Sequence, residues 1–372
     1  HPFRPVSGPG RTSRSLASCQ ARPGPDTQTT MTDTNRSAAW YRRLLPLSTA
    51  LAFGVVVLGA WVRLTDAGLG CPDWPGCYGT LTVPQTETEL AFATETYPER
   101  PVETQKAWNE MIHRYFAGTL GLLVFGITVA AWRARRQDPS HPVALPTALA
   151  VLITFQAMLG MWTVTLLLKP VIVMMHLLGG MSTLGLLFWL TLKAWRDRAP
   201  SPAAVSETAR RFVPWATLAL VVVFGQIALG GWTSTNYAAL ACPELPTCQG
   251  EWWPEADFGE GFVLWRGIGV DYEGGVLDGP ARAAIHLTHR IGAIVVTLVL
   301  VILSLALLAR GASRLRVAGG AVLAALALQI AIGVGIIEWS LPLWLATAHN
   351  AGGALLLLAL LYLNYESRYA RG

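Results

Sequence analysis

Residues 291–308 read IGAIVVTLVLVILSLALL and contain no Asp, Glu, Lys or Arg. As an α-helix this stretch would span about 27 Å, close to the roughly 30 Å hydrocarbon core of a bilayer. The stretch from Leu45 to Val62 is equally free of charge. The whole chain of 372 residues is 52% hydrophobic and only 14% charged, against roughly 25% charged residues in an ordinary soluble domain. The sequence therefore predicts an all-α, polytopic membrane protein.

Eight stretches have the length and apolarity of a transmembrane helix. Their predicted bounds are 44–63, 108–132, 144–167, 171–195, 212–233, 281–309, 315–338 and 342–364. Lys and Arg cluster at the ends that share one face, whereas the long loops on the other face, 64–107 and 234–280, are acidic and contain tryptophan. The positive-inside rule places the basic face, and with it both chain termini, in the cytoplasm. Because topology explains the net charge of +5, this charge does not indicate nucleic-acid binding.

Residues 1–40 differ from the rest of the chain in composition. They are rich in Pro, Gly, Ser, Thr and Arg and have no apolar period, which predicts a disordered tail. Met31 is a candidate initiator, and residues 1–30 would then be an upstream artefact. The alternative is a transit peptide, because the stretch is rich in Arg and Ser and nearly free of acidic residues. We assign no role to Cys19, which lies in this tail.

The two halves of the chain, 41–198 and 199–372, resemble each other. Landmarks recur in the same order: Gly59, Trp61, Cys71, Cys77, His113, Gln156 and His176 correspond to Gly230, Trp232, Cys242, Cys248, His289, Gln329 and His349. Each half contains four predicted spans, so the halves share one orientation. We predict two pseudo-symmetric four-helix bundles related by an axis along the membrane normal.

Four histidines that recur between the halves lie inside predicted spans, where an ionisable side chain is costly and therefore indicates function. His113 and His176 lie at similar depth in the first half, and His289 and His349 do so in the second. Two imidazoles at one level in a helical bundle are typical of haem ligation. The structural alternative is a histidine that only makes a core hydrogen bond, which the repetition of both pairs disfavours. Zinc is disfavoured because no thiolate or carboxylate set completes either pair.

The surroundings of these histidines differ between the halves at one position. Glu110 lies one turn before His113, whereas His286 holds the equivalent position before His289. A carboxylate beside only one pair predicts that the first half is the reaction site and the second holds a resident cofactor. The alternative is that Glu110 only complements the dipole of its helix. His286 lies too near the start of its helix to be a predicted ligand.

Two arginines, Arg114 and Arg290, directly follow ligand candidates. Each is a candidate for pairing with a haem propionate, and the alternative is an arginine that reaches the membrane interface. Mid-span Gln and Gly residues form a further repeated pattern, for which we expect helix packing or contact with a haem substituent. Its members are Gln156, Gly160, Gln329 and Gly333, and the glycines Gly179, Gly180, Gly352 and Gly353, which are expected to leave room for a flat macrocycle.

Each long outer loop carries a closely spaced cysteine pair, Cys71 with Cys77 and Cys242 with Cys248. Both pairs lie on the outer, oxidising side, where disulfides persist. A structural staple and a redox-active pair both remain open. Metal binding is disfavoured because the two pairs lie in different halves.

Taken together, these residues resemble the haem A synthase family over about residues 44–364. The motifs that carry the resemblance are Glu110-Met-Ile-His113-Arg114, Met175-His176, Thr288-His289-Arg290, Ala348-His349-Asn350, the two cysteine loops and Pro246-Thr-Cys-Gln-Gly-Glu-Trp-Trp-Pro254. The resemblance implies an enzyme that oxidises one methyl group of haem O to a formyl group and so makes haem A for cytochrome oxidase.

The resemblance also implies a role for each site residue. Haem b would lie between His289 and His349, the substrate haem O would be bound by His113 and His176, and Glu110 would be catalytic. Some members of the family lack one or both cysteine pairs. This chain has both pairs, so a disulfide in each loop is implied. Because relatives function without them, an essential redox role is not implied.

The resemblance further implies the bacterial inner membrane, with haem O, lipid, haem O synthase and an electron donor as partners; a homo-oligomer is left open. Two other classes of protein are the alternatives. A membrane b-type cytochrome that only passes electrons would not explain the difference between Glu110 and His286. A haem transporter would need a hinge for alternating access, and no pair of Gly- or Pro-broken helices marks one.

Overall fold

The computed structural model of the chain describes Pro2 and residues 25–196 and 207–369, without the side chains of residues 25–39 and 196. The described residues form eleven helices and their connecting loops. The helices are α1 (Pro25–Leu64), α2 (Glu87–Thr96), α3 (Thr104–Gln137), α4 (Ala144–Thr165), α5 (Pro170–Arg196), α6 (Glu207–Arg210), α7 (Val213–Thr235), α8 (Phe258–Gly261), α9 (Gly279–Arg310), α10 (Ser313–Glu338) and α11 (Leu343–Tyr369).

Within the described residues, eight helical segments are long and apolar enough to cross a membrane. They are Trp40–Leu64, Thr104–Gln137, Ala144–Thr165, Pro170–Trp195, Glu207–Thr235, Gly279–Arg310, Ser313–Glu338 and Leu343–Tyr369. Each contains most or all of one predicted span, so the prediction of an all-α protein with eight spans is confirmed. The helices run beyond several predicted ends because polar flanking residues continue a helix that the apolar span has already nucleated.

The first helix begins earlier than the composition of its flank indicates. α1 starts at Pro25, so it includes residues 25–40, for which the sequence predicted a disordered tail. Extending an existing helix fixes one residue for each hydrogen bond gained, so it costs far less conformational free energy than nucleating a helix. The composition of the flank does not show that a helix follows it. The rest of the predicted tail, including Cys19 and most of the stretch considered an artefact, lies outside the described residues.

The turn between α4 and α5 and the turn between α10 and α11 have the same construction. Leu167 and Leu168 have positive φ before Lys169-Pro170, and Ser340 and Leu341 have positive φ before Pro342. The amide of Leu168 donates to the carbonyl of Thr163 at 2.8 Å, and that of Leu341 to Ile336 at 2.7 Å. These bonds end the helices in the left-handed manner usual for a helix C-terminus, and they set the following helix antiparallel to the first.

Helix neighbours fall into two closed groups. In the first half, α3 and α5 each contact α1 and α4, and in the second half α9 and α11 each contact α7 and α10. The halves meet where α1 contacts α11, α5 contacts α7, and α5 contacts α11. The pseudo-symmetric relation of the two bundles stays a prediction, which this pattern of neighbours supports.

The outer loops of the two halves are joined by polar contacts. The guanidinium of Arg100 in the first loop pairs with Asp271 and with Glu273 in the second, at 2.6 Å for Glu273. Near the end of α1, Arg63 donates to the carbonyl oxygen of Ser234 at 2.6 Å. These contacts therefore join the long loops of the two halves.

Candidate haem-binding sites

The four intramembrane histidines lie on α3, α5, α9 and α11, and each is partly buried. His113 and His176 are near enough to interact electrostatically, and so are His289 and His349. The structure therefore places the two histidines of each half within electrostatic range of each other. Their role as haem ligands remains a proposal.

Each histidine ring lies against a glycine on the neighbouring helix. A Cβ on Gly59 would lie 3.1 Å from Cε1 of His113, and one on Gly160 would lie 3.3 Å from Cε1 of His176. The corresponding distances for Gly230 with His289 and Gly333 with His349 are both 3.2 Å. Gly160 and Gly333 were expected to allow a neighbouring group to approach closely. That group is the imidazole ring of His176 or His349.

The rings have the features of haem ligands and not of a metal site built by protein alone. The Nδ1 atoms of His113, His176 and His349 are buried and have no hydrogen-bond partner. Within the described part of the chain, no group of three or more His, Cys, Asp or Glu could hold a metal ion. Two imidazoles suffice for haem, because the macrocycle supplies four nitrogen ligands and the protein only the axial ones. The residues present therefore fit a haem in each half.

The Glu110 carboxylate is buried beside the first pair and is held from two sides. Its Oε2 accepts the backbone N–H of Cys71 at 2.9 Å, and its Oε1 accepts an N–H of Arg114 at 2.5 Å. Hydrogen bonds to an ionised group are among the strong ones. The carboxylate is thus fixed on α3, one turn before His113, and faces the first cysteine loop.

His286 takes the same place in the second half. Its side chain is 4% exposed, and its Nδ1 accepts the backbone N–H of Cys242 at 3.3 Å. Glu110 and His286 are therefore equivalent in contacts as well as in sequence. The contact agrees with the prediction that His286 is not a ligand, because its Nδ1 accepts a hydrogen bond from the cysteine loop.

The two arginines bind the cysteine loops. Arg114 donates to the carbonyls of Asp73 (2.9 Å) and Gly76, and Arg290 to those of Cys242, Glu244 and Thr247 at 2.8, 2.8 and 2.9 Å. A tight loop leaves carbonyls without backbone partners, and the fork of a guanidinium suits several at once. Pairing with a haem propionate stays a prediction, and these carbonyls compete for the same N–H groups.

Both cysteine pairs form disulfides. The Cα atoms are 4.7 Å apart in Cys71–Cys77 and 4.5 Å apart in Cys242–Cys248. All four cysteines are buried. Buried sulfur is poorly accessible to thiol exchange, so the structure favours the structural staple over the redox-active pair.

Removing the Arg290 side chain is expected to loosen the second cysteine loop. Arg290→Ala removes three hydrogen bonds from a charged donor, and we expect the free energy of unfolding to fall by roughly 1.5–3 kcal/mol. Arg282→Ala is the control, because Arg282 lies at the start of the same helix and its side chain donates to the carbonyl oxygen of Asp278 in its own first turn. Thermal unfolding in detergent checks this, and equal midpoints for the two variants would contradict the assigned role.

Three glutamines bond the backbone of the histidines. Gln156 donates to the carbonyl oxygen of His176, and Gln329 to that of His349 at 3.0 Å. The sequence reasoning missed the third, Gln226, which donates to the carbonyl oxygen of His289 at 2.9 Å. The signal was available, since Gln226 precedes Gly230 with the spacing of the other two pairs.

The glycines three residues after the histidines make room for a glutamine side chain. A Cβ on Gly179 or Gly352 would lie 2.2 Å from the Oε1 of Gln156 or Gln329. That these glycines also leave room for a macrocycle stays a prediction. The sequence spacing indicated that some group packs against these glycines. It could not show whether that group is a glutamine side chain or a cofactor.

The fold and the sites define a multi-pass helical membrane protein with two intramembrane histidine pairs suited to haem. The family model described as cytochrome oxidase assembly protein (COX15-CtaA) matches residues 42–361. The chain belongs to this family.

Curated relatives are similar over most of their length. The haem A synthase of Shewanella oneidensis is 44% identical over 326 residues, which are 88% of this chain and 95% of the relative. The haem A synthase of Caulobacter vibrioides is 30% identical over 83% of this chain and 90% of its own length. The haem A synthase of Halalkalibacterium halodurans is 27% identical over 72% of this chain and 76% of its own length.

Proposed function

We propose that this protein is a haem A synthase, which oxidises one methyl group of haem O to a formyl group. The observation that carries the proposal is a difference between two equivalent positions: the backbone N–H of Cys71 donates to the Glu110 carboxylate in the first half, whereas that of Cys242 donates to His286 in the second. The similarity to haem A synthases over most of the chain supports the same reaction.

The two halves have different tasks in this proposal. His113 and His176 bind the substrate haem O in the first half, and His289 and His349 hold a resident haem b in the second. His286 supports the division, because an imidazole at the position of Glu110 serves the cysteine loop without adding a carboxylate. Electrons pass through the second site, and the chemistry occurs at the first.

Two hydroxylations convert the methyl group into a geminal diol, which loses water to give the formyl group. Each hydroxylation removes two electrons from the methyl carbon and adds one oxygen atom, so it requires dioxygen with electrons from the donor, or water with an electron acceptor. When bound, haem iron would supply the redox chemistry for breaking the C–H bond, and the protein supplies orientation and electrostatics. His113 and His176 would hold the substrate. The carboxylate of Glu110, already held by Cys71 and Arg114, is placed to accept a proton or to stabilise positive charge without rearranging.

We place the protein in the bacterial inner membrane, with both termini in the cytoplasm. The asymmetry of basic residues supports this orientation, and so do the disulfides in the outer loops, which persist on an oxidising side. Haem O, haem O synthase, an electron donor and membrane lipid are the proposed partners. A homo-oligomer is compatible with this arrangement.

Pigment analysis of the purified protein separates this proposal from its alternatives. We expect haem b together with haem O or haem A after expression with a haem O source. Haem b alone in fixed stoichiometry would indicate a b-type cytochrome that only carries electrons. Haem that is lost readily during purification, whatever its type, would indicate a transporter.

A further inference from the structure

Three of the four helix pairs share one arrangement of Gln, Gly and His. The pairs are Gln156 on α4 with His176 on α5, Gln226 on α7 with His289 on α9, and Gln329 on α10 with His349 on α11. In each, the glutamine amide donates to the carbonyl oxygen of the histidine itself. The glutamine also stands four residues before the glycine that touches the histidine ring. The backbone of each of these histidines is therefore tied to the helix on which its ring lies.

The glutamine fits only because a glycine follows the histidine by three residues. A Cβ on Gly179, Gly292 or Gly352 would lie 2.2, 2.1 or 2.2 Å from the Oε1 of the glutamine that faces it. Any larger side chain at these positions would displace the amide. The glutamine and this glycine thus form one unit, which we name the glutamine clamp.

The fourth pair, α1 with α3, has neither part of the clamp. Val55 stands four residues before Gly59, where the other pairs have glutamine, and Phe116 stands three residues after His113, where they have glycine. Among the described residues, no side chain from a neighbouring helix donates to the carbonyl oxygen of His113. The ring contact with Gly59 is retained, so this histidine is placed like the others but is not tied.

We propose that the clamps fix His176, His289 and His349 as permanent haem ligands, and that His113 is the ligand that leaves and returns. The glutamines are positioning residues, since they act through the histidines. The inference rests on the proposed function in that it takes haem as the group bound. It deepens that function by placing the exchangeable coordination position in the first half, on the α3 side, one turn from Glu110.

Carbon monoxide tests the proposal because it binds reduced haem iron only where an axial position opens. The probe is added to the purified, reduced protein holding both haems, and the optical bands of haem b and haem O separate the sites. We expect the wild type to bind carbon monoxide at the substrate haem and not at haem b. Gln329→Leu removes a clamp from the second half and should raise the rate at haem b by about 3- to 20-fold, the effect of losing one interhelical hydrogen bond.

The reverse change installs the missing clamp. Val55→Gln with Phe116→Gly should slow carbon monoxide binding at the substrate haem by about tenfold, with haem occupancy unchanged. Should this double variant fail to fold, Gln156→Leu tests the same half in the opposite direction and should speed binding there. Thr154→Val is the matched control, because Thr154 lies on α4 near Gln156 but bonds only its own helix at Ala150.

Two results would overturn the inference. One is carbon monoxide binding at haem b of the wild type as fast as at the substrate haem. The other is clamp variants whose rates equal those of the wild type and of Thr154→Val. In either case the protein still holds both haems, so the proposed function survives. A purified protein that binds no haem at all would instead remove the proposed function and this inference together.

Discussion

Glu110→His is expected to stop haem A formation while the protein stays folded and keeps its haem b. The substitution copies the second half, where His286 accepts the backbone N–H of the first cysteine in its loop, just as Glu110 accepts that of Cys71. The variant thus keeps an acceptor for the cysteine loop but loses the carboxylate. If the carboxylate transfers a proton or stabilises charge at the substrate, we expect turnover to fall by about 10²- to 10⁴-fold.

The ratio of haem A to haem O in membranes that express each variant measures this effect. Glu103→Gln is the control, because Glu103 is an exposed carboxylate at the start of the same helix that pairs with Lys106. We expect this control to match the wild type. If Glu110→His gave the same ratio of haem A to haem O as the wild type, the role of Glu110 would be only to hold the cysteine loop in place.

His349→Ala is expected to remove the resident haem b and, with it, haem A formation. Loss of an outer partner of a metal ligand already costs 10- to 100-fold in affinity, so we expect loss of the ligand itself to lower haem b retention by more than about tenfold. His176→Ala should behave differently, because it lies in the other half: haem b stays and only the substrate haem is lost. His141→Ala, in the loop between α3 and α4, is the control and should leave both haems in place.

The amount of each haem per purified protein measures the effect of each substitution. The two alanine variants test the division of tasks between the halves, since each should lose a different haem. If His349→Ala and His176→Ala lost the same haem type to the same extent, the halves would not hold separate cofactors.

The long apolar runs made the eight spans predictable, because burial in lipid requires about 20 apolar residues for each helix. The histidine pairs were predictable for the same reason, since a polar residue inside such a run stands out. One short helix in the outer loops was also within reach. Thr86 and Glu89 form a capping box at the start of α2, and Thr-x-x-Glu is a recognised start signal.

Other features depend on which groups meet in space and were not predictable. Arg114 and Arg290 remain candidates for pairing with haem propionates, but the sequence did not indicate that their N–H groups also bind the carbonyls of the cysteine loops. A long arginine side chain can donate to any unpaired acceptor within its reach. The positions of loop carbonyls cannot be predicted from the sequence. The role of Gly179 was missed for a similar reason, because the Oε1 of Gln156 comes from another helix.

Pigment analysis of membranes tests the central claim most directly. The wild-type chain or Glu110→His is expressed with a haem O source and an intact electron supply, and the extracted haems are separated and identified. We predict haem A with the wild type, and haem O or a hydroxylated intermediate with the variant. Haem b with no haem A from the wild type would contradict the proposed synthase and would leave a b-type cytochrome that carries electrons.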